Sequence, residues 1–171
     1  MIHIYYGNGK GKTTAATGLA IRAAGTGMKV QVVRFMKTDN SGEVKVMQEI
    51  ENITVEPCTR SFGFTFQMTE EQKQEAKAYY TKLLRRAIAP ENIEKYDMIV
   101  MDEANIVYHY EFIERDELMG FLRKYGKKKE IVITGAFPQD DLIEVADYVT
   151  EIKKVKHPYD KGVKARRGIE F

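Results

Sequence analysis

The tightest constraint on this chain lies in its first 25 residues. Ile2 to Tyr6 form a short β-prone run, five residues with three glycines break it, and Ala15, Ala16, Leu19, Ala20 and Ala23 then recur at helical spacing. Strand, glycine loop and helix follow in that order. The helix should stop near Gly25 to Gly27, and residues 29–35 (KVQVVRF) read as a second strand. Strand, helix and strand complete a βαβ unit, which predicts parallel pairing of these two strands with a right-handed crossover.

The rest of the chain continues the alternation. Ile53 to Val55 read as a short third strand ending at Pro57. Met98, Ile99, Val100 and Met101 form a continuous apolar strand, expected to be buried on both faces, that runs into Asp102 and Glu103. Residues 131–134 and 148–152 supply two more strands. Thr69 and Gln72 have the spacing of a capping box at the start of a long helix, which carries Ala76, Tyr79, Tyr80, Leu83, Leu84, Ala87 and Ile88 on one stripe and ends at Pro90. Leu118, Phe121, Leu122 and Tyr125 mark another helix, and Leu142, Ile143, Val145 and Ala146 a shorter one. The expected fold is α/β, a mostly parallel sheet flanked by helices, in a single domain over residues 1–171.

Composition narrows the function classes. With 43% hydrophobic and 30% charged residues and only four prolines, the chain is an ordinary packed globule, not a disordered one. One cysteine, Cys58, allows neither an internal disulfide nor a multi-thiolate metal site, so it reads as a small buried apolar side chain in a reducing, cytoplasmic protein. No apolar run reaches the roughly 20 residues of a membrane span, and Met1 leads directly into the first strand without a leader. The net charge of +2 conceals an asymmetry: residues 153–167 hold seven Lys and Arg against Asp160, a local +6 set against −4 elsewhere. That segment is interrupted by His157, Pro158 and Gly162 and does not read as a nucleic-acid tail.

The chemistry concentrates in Gly7, Asn8, Gly9, Lys10, Gly11, Lys12, Thr13 and Thr14. Glycines between a strand and a helix let backbone N–H groups wrap an anion without Cβ obstruction, and the helix start adds the positive end of its dipole. Lys12 supplies a compact cation and Thr13 a hydroxyl for Mg²⁺. The standard phosphate loop would need glycine at position 6, where this chain has Tyr6, so the loop is one residue short. Glycines that merely made a tight turn would leave the two interleaved lysines unexplained. Asp102 and Glu103, at the carboxyl end of the most apolar strand, point toward the ligand crevice of a parallel sheet and are metal-ligand candidates; helix capping is the structural alternative.

Other features read more plainly. Phe62, Phe64 and Phe66 alternate as a core strand would, with Gly63 weakening that reading. His3 is expected to be buried in the first strand. His109 has no second His or Cys at ligand spacing, which argues against a transition-metal site. No Ser, Cys or Thr sits in a recognisable nucleophile elbow, so the chemistry does not require a protein nucleophile.

Five blocks then occur in order: GNGKGKTTAATGLAIRAAGTG from residue 7, VRFMK from 33, GFTF from 63, VMDEAN from 100 and VKHPYDKGVKARRGIEF from 155. Together they resemble the P-loop type of ATP:corrinoid adenosyltransferase, along the whole chain. The resemblance implies a RecA-like nucleotide-binding sheet and transfer of the 5′-deoxyadenosyl group of ATP to the Co(I) centre of a corrinoid, cobalamin or cobyrinic acid a,c-diamide, with release of triphosphate. Co(I) is itself the nucleophile. The shortened loop would hold triphosphate in an orientation reversed from ordinary P-loop enzymes.

Carried over by motif, residues 7–14 bind triphosphate with Lys10 and Lys12 neutralising charge, Arg22 is a further ATP contact, and Thr13, Glu103 and Asp102 hold Mg²⁺. Phe64 and Phe66 match an aromatic pair that closes beneath the corrin ring, excludes the lower axial ligand and eases reduction of Co(II). That assignment reverses the core-strand reading of the stretch. The family further implies a homodimer and a reduced flavoprotein as electron donor, and no nucleic-acid or membrane partner. Lys161, Lys164, Arg166 and Arg167 are expected to face in part the ATP or the corrinoid rim.

The chain departs from the family pattern in three places. Phe66 replaces a frequent tryptophan, Ala136 and Phe137 follow Thr134-Gly135 where an arginine is common, and the first strand starts without the basic arm that covers substrate in many members, which implies looser or differently capped corrinoid binding. Two alternatives remain from the residues alone: a P-loop kinase or NTPase that releases ADP, and a nucleotide- or corrinoid-binding module without turnover.

Overall fold

The computed structural model describes residues 1–171 except Asp39, Phe64 and Phe171. Its six strands are β1 (Ile2–Tyr6), β2 (Val30–Arg34), β3 (Ile53–Val55), β4 (Met98–Asp102), β5 (Glu130–Gly135) and β6 (Tyr148–Glu151). The helices are α1 (Lys12–Gly25), α2 (Gly42–Gln48), α3 (Glu70–Ala87), α4 (Pro90–Ile93), α5 (Ala104–His109), α6 (Arg115–Tyr125) and α7 (Asp140–Val145). The strand expectations at residues 2–6, 29–35, 53–55, 98–101, 131–134 and 148–152 are met to within a residue or two. The short helices α2 and α5 were not expected, since two turns carry too little periodicity to stand out and depend on packing for their stability.

Every strand pairing is parallel, in the order β3-β2-β4-β5-β1-β6. β1 and β2 share the sheet but are not neighbours, contrary to the pairing read from the βαβ unit, because β4 and β5 lie between them. The reason is hydrophobic. All five residues of β4 and every residue of β5 after Glu130 are buried, and only the middle of a sheet covers both faces of a strand.

The pleat sorts the core into two halves. Ile2, Ile4, Val33, Ile99, Met101, Ile131 and Ile133 pack against α3, α4, α5, α6 and α7. Val30, Val32, Met98, Val100 and Val132 face α1 and α2. Each large side chain so buried contributes about 1.5–3 kcal/mol. The buried face of α1 is alanine only, Ala16, Ala20, Ala23 and Ala24, so small side chains set the approach of that helix to the sheet. In α3 the capping box is present as read, with Thr69 Oγ1 accepting from the Gln72 amide at 3.2 Å and Gln72 Oε1 accepting from the Thr69 amide at 2.9 Å.

His3 is only half-buried, a correction to its expected burial. β6 is an exposed edge strand, so the side of β1 next to it stays open to solvent. There His3 Nε2 meets Glu130 Oε2 at 2.7 Å and its ring stacks on Tyr148 with centroids 4.6 Å apart.

Beyond β6 the chain crosses the glycine loop. Gly9 donates its amide to Ile152 O at 2.8 Å, and Asn8 Oδ1 accepts from the Lys154 amide at 2.9 Å. A Cβ on Gly7 would lie 2.4 Å from Ile152 O, and one on Gly9 2.7 Å from the same atom. Gly7 also has φ of 120°, a region that side chains disfavour. Gly7→Ala should therefore lower the unfolding free energy by about 2–3 kcal/mol, combining backbone strain with a clash. Gly27→Ala, at φ 90° but with open space around its Cβ, should cost about 1 kcal/mol. Urea unfolding of both variants measures the difference, and equal losses would remove the role assigned to Ile152.

Candidate active site

Parallel pairing brings the carboxyl ends of β1, β2, β4 and β5 to one edge of the sheet, where open α/β folds place their ligands. A cleft of about 970 Å³ opens there. Residues 9–14 and the first turns of α1 form its floor, Met36, Lys37 and Thr38 with residues 40–43 one wall, and Gly168, Ile169 and Glu170 another. Glu103 also reaches it.

The loop is shaped for an anion. Gly11 has φ of 118°, and a Cβ built on it would meet nothing within 4 Å, so this glycine serves backbone conformation rather than packing. No acidic residue occupies the first turn of α1, which leaves the positive dipole end uncompensated. Lys12 turns its ammonium onto Gly9 O at 2.9 Å. Burial pushes its pKa down, and the cation of Lys37 adds to this against the pull of Glu103 and Asp102.

Behind the loop lies a hydrogen-bonded cluster centred on Asp102, which is 2% exposed. Asp102 Oδ1 accepts from Thr13 Oγ1 at 2.9 Å and from Thr134 Oγ1 at 2.6 Å; Oδ2 accepts from Lys37 Nζ at 2.9 Å. Lys37 Nζ also donates to Thr13 Oγ1 at 2.8 Å and lies 3.5 Å from Glu103 Oε1. Thr134 Oγ1 in turn accepts from the Glu103 amide at 3.0 Å. Burial alone would raise the Asp102 carboxyl, but the Lys37 charge and the three donated hydrogen bonds overcome it and hold the group below the usual carboxylate range. Glu103 is pushed the other way, up, by burial and by its neighbour Asp102, with Lys37 offsetting only part. Lys37 loses affinity for its proton through burial and regains more from the two carboxylates, so its ammonium is stabilised.

Two non-glycine residues here have left-handed backbone, Met36 and Glu103, each at φ 60°. Such a conformation costs about 1–3 kcal/mol and persists where surrounding packing enforces it. Met36 precedes the lysine of the cluster and Glu103 supplies its second carboxylate, so both strained residues aim the same constellation.

The structure brings together Gly9, Lys10, Gly11, Lys12, Thr13, Thr14 and Glu103 around the cleft, with Asp102 directly behind. Gly7 and Asn8 do not line it; they dock the segment after β6. Arg22 does not line it either: it sits in the last turn of α1 on a different side of the helix from Ile21, which does line it. Sequence reasoning missed Lys37 and Thr134. Both follow the rule already applied to Asp102, as residues at or just past the carboxyl ends of β2 and β5.

Residues 61–68 form no strand among the described residues, which corrects the core-strand reading. Phe62 packs toward Tyr79 and Tyr80 with Arg60 over its ring, whereas Phe66 is 81% exposed on a short 3₁₀ turn, Thr65–Gln67. Phe64 lies outside the described residues. Lys161, Lys164, Arg166 and Arg167 are exposed and do not line the cleft, since Arg166 is engaged by Glu170 at 3.1 Å and it is the following turn, residues 168–170, that faces the loop. Ala136 and Phe137 also lie outside the cleft lining. Cys58 is buried, as expected.

The low pKa of Asp102 has a consequence for acid stability. Its folded value lies below its unfolded one, so it stabilises the fold above about pH 4, and that contribution disappears as the pH falls through the folded value. Asp102→Asn should lower stability by about 2 kcal/mol or more at pH 7, because Lys37 loses its partner, and should flatten the decline below pH 4. Urea midpoints recorded from pH 7 to pH 2.5 test both; parallel curves for the two proteins would show that Asp102 is not the titrating group.

A family model described as ATP:corrinoid adenosyltransferase BtuR/CobO/CobP matches residues 1–171. The corrinoid adenosyltransferase of Pseudomonas aeruginosa is 34% identical over 170 residues, covering 98% of this chain and 82% of that protein. Corrinoid adenosyltransferase CobA of Salmonella typhimurium is 36% identical over 176 residues, covering 100% and 85%. Among solved structures, EssC (ATPases 2 and 3) from Geobacillus thermodenitrificans aligns with a TM-score of 0.51 at 13% identity, over 98% of this chain and 34% of that chain, a likeness of fold alone. The match to the family model over every residue, together with relatives above 30% identity along nearly the whole chain, establishes that this chain belongs to the ATP:corrinoid adenosyltransferase family.

Proposed function

We propose that the cleft binds ATP with its triphosphate in the loop of residues 9–14 and that the chain transfers the 5′-deoxyadenosyl group to the Co(I) centre of a corrinoid. The observation that carries this reading is the pairing of an anion loop with a carboxylate–hydroxyl cluster in one cleft, within a chain of this family. In the reaction the electron pair of Co(I) attacks C5′, the cobalt–carbon bond forms, and the C5′–O bond breaks with triphosphate leaving. No protein nucleophile is required. The chain's task is to position C5′ and to neutralise the leaving group.

The loop amides and the positive end of α1 take the phosphate oxygens. Lys12 reaches them by leaving Gly9 O, and Lys10, exposed at the loop, adds a second positive charge. Thr13, Asp102 and Glu103 are the residues that would hold Mg²⁺. They fit a divalent cation because a cation already stands among them, the Lys37 ammonium. No cluster of three His, Cys, Asp or Glu exists among the described residues. Two carboxylates and a hydroxyl match the incomplete ligand set that Mg²⁺ uses with phosphates and water. The metal would supply further neutralisation of the departing triphosphate.

Phe66 presents an apolar ring to solvent, in keeping with a wedge against the corrin ring, and Phe64 joins it in this reading. The reading extends to a homodimer supplied with electrons by a reduced flavoprotein, on the strength of the family resemblance.

Incubation with MgATP and chemically reduced cobalamin should bleach the Co(I) spectrum and release triphosphate; ADP as the nucleotide product would overturn the reading in favour of phosphoryl transfer. Lys12→Ala should lower kcat/KM by about a hundredfold or more, the scale of one lost transition-state charge contact. Phe66→Ala should leave transfer to chemically reduced corrinoid nearly intact and slow it when Co(II) must first be reduced by a flavoprotein. Equal losses with both electron sources would refute a wedge role.

A further inference from the structure

Lys37 belongs to neither the glycine loop nor the carboxylate pair, yet its ammonium lies at the centre of both. Nζ is 2.8 Å from Thr13 Oγ1, 2.9 Å from Asp102 Oδ2 and 3.5 Å from Glu103 Oε1, the three groups assigned above to Mg²⁺. Its position is fixed from behind: Phe35 donates its amide to Asp102 O at 2.9 Å, and Met36 then turns through left-handed backbone to aim Lys37 inward. A lysine suits this place because its charge is compact and its stem flexible, so it can hold the position and also leave it.

Charge decides what happens when a divalent cation arrives. Lys37 plus Mg²⁺ would put +3 against the −2 of Asp102 and Glu103 in one partly buried space. Among the described residues the other acids lining the cleft are already engaged, Glu43 by Arg34 at 3.6 Å and Glu170 by Arg166 at 3.1 Å. A displaced Lys37 therefore finds no uncommitted carboxylate among the described cleft residues. The anion that the proposed function brings to the same cleft is the triphosphate.

We infer that Lys37 is a resident counter-ion of the metal position: it keeps Thr13, Asp102 and Glu103 assembled without a divalent metal, yields that place to the metal, and moves onto the triphosphate. The inference rests on the assignment of those three residues to Mg²⁺ and adds a third lysine, after Lys10 and Lys12, to the neutralisation of the leaving group. It makes metal and lysine competitors before nucleotide binds and allies afterwards.

Three measurements test it. Mn²⁺ binding without nucleotide, followed by electron paramagnetic resonance, should tighten at least about tenfold in Lys37→Met, as expected for removal of a unit charge within about 4 Å of the site. The affinity of the same variant for tripolyphosphate in Mg²⁺ should weaken about tenfold, the lower end of the effect of a lost charge contact. Unchanged or weaker Mn²⁺ binding would overturn the inference. A combined Asp102→Asn, Glu103→Gln variant separates the two levels, because if it binds Mn²⁺ like the parent protein, the metal assignment itself fails.

The third measurement uses the unaltered chain and holds even if Lys37→Met does not fold. Reductive methylation of Lys37, quantified by mass spectrometry, should be slow without metal, faster with Mg²⁺ alone and slow again with Mg²⁺ and tripolyphosphate. A rate insensitive to Mg²⁺ would refute displacement.

Discussion

The carboxylate of Asp102 joins four parts of the chain that are distant in sequence. It accepts from Thr13 at the start of α1, from Lys37 beyond β2 and from Thr134 near the end of β5, while standing itself at the end of β4. A buried carboxylate is costly unless its lone pairs are filled, and here the partners that fill them are also the groups lining the ligand cleft. The electrostatic need of one acid thus fixes the relative positions of the anion loop and the strand ends. Met36 and Glu103 hold unfavourable backbone angles on either side of it, which is how residues on separate strands are made to converge on one point.

The glycines of the loop answer to two separate demands. Gly7 and Gly9 are small because the backbone of Ile152 and Lys153 passes against them, while Gly11 is small because its backbone angle and the open cleft require it. A single pattern of glycines thus reflects packing at one end and ligand access at the other. Thr134 and Gly135 divide in the same way: the hydroxyl serves Asp102, and the glycine admits Asn105, whose Cβ would stand 2.6 Å from any Cβ placed there.

Much of this was legible in the sequence because it depends on local chemistry. The strands stand out as apolar runs, the start of α3 as Thr69 and Gln72, and the anion loop as glycines interleaved with lysines. The order of the strands was not legible, since the separation of β1 from β2 is set by how deeply β4 and β5 must be buried, a property of the whole sheet. Lys37 escaped notice because a lysine after an apolar strand reads as a solvated end unless its carboxylate partners, 65 residues away, are placed beside it. The basic segment misled in the opposite direction. Its formal charge is large, yet Lys153, Lys154 and Arg166 are met by Glu151, Asp160 and Glu170, and the cleft is reached instead by the turn that follows it, residues 168–170.

The contact between the glycine loop and the segment after β6 also bears on how the chain acquires its structure. β1 lies between β5 and β6, and Gly9 is tied to Ile152. Residues 2–9 are therefore among the last to find their partners, since they must wait for residues 130–154. Closing so long a loop is slow in entropic terms. During synthesis the nascent β1 is an unpaired apolar strand, and the anion loop cannot take its final form until residues 130–154 have been made. Occupation of the loop by nucleotide would thus report that the last strand of the sheet is in place.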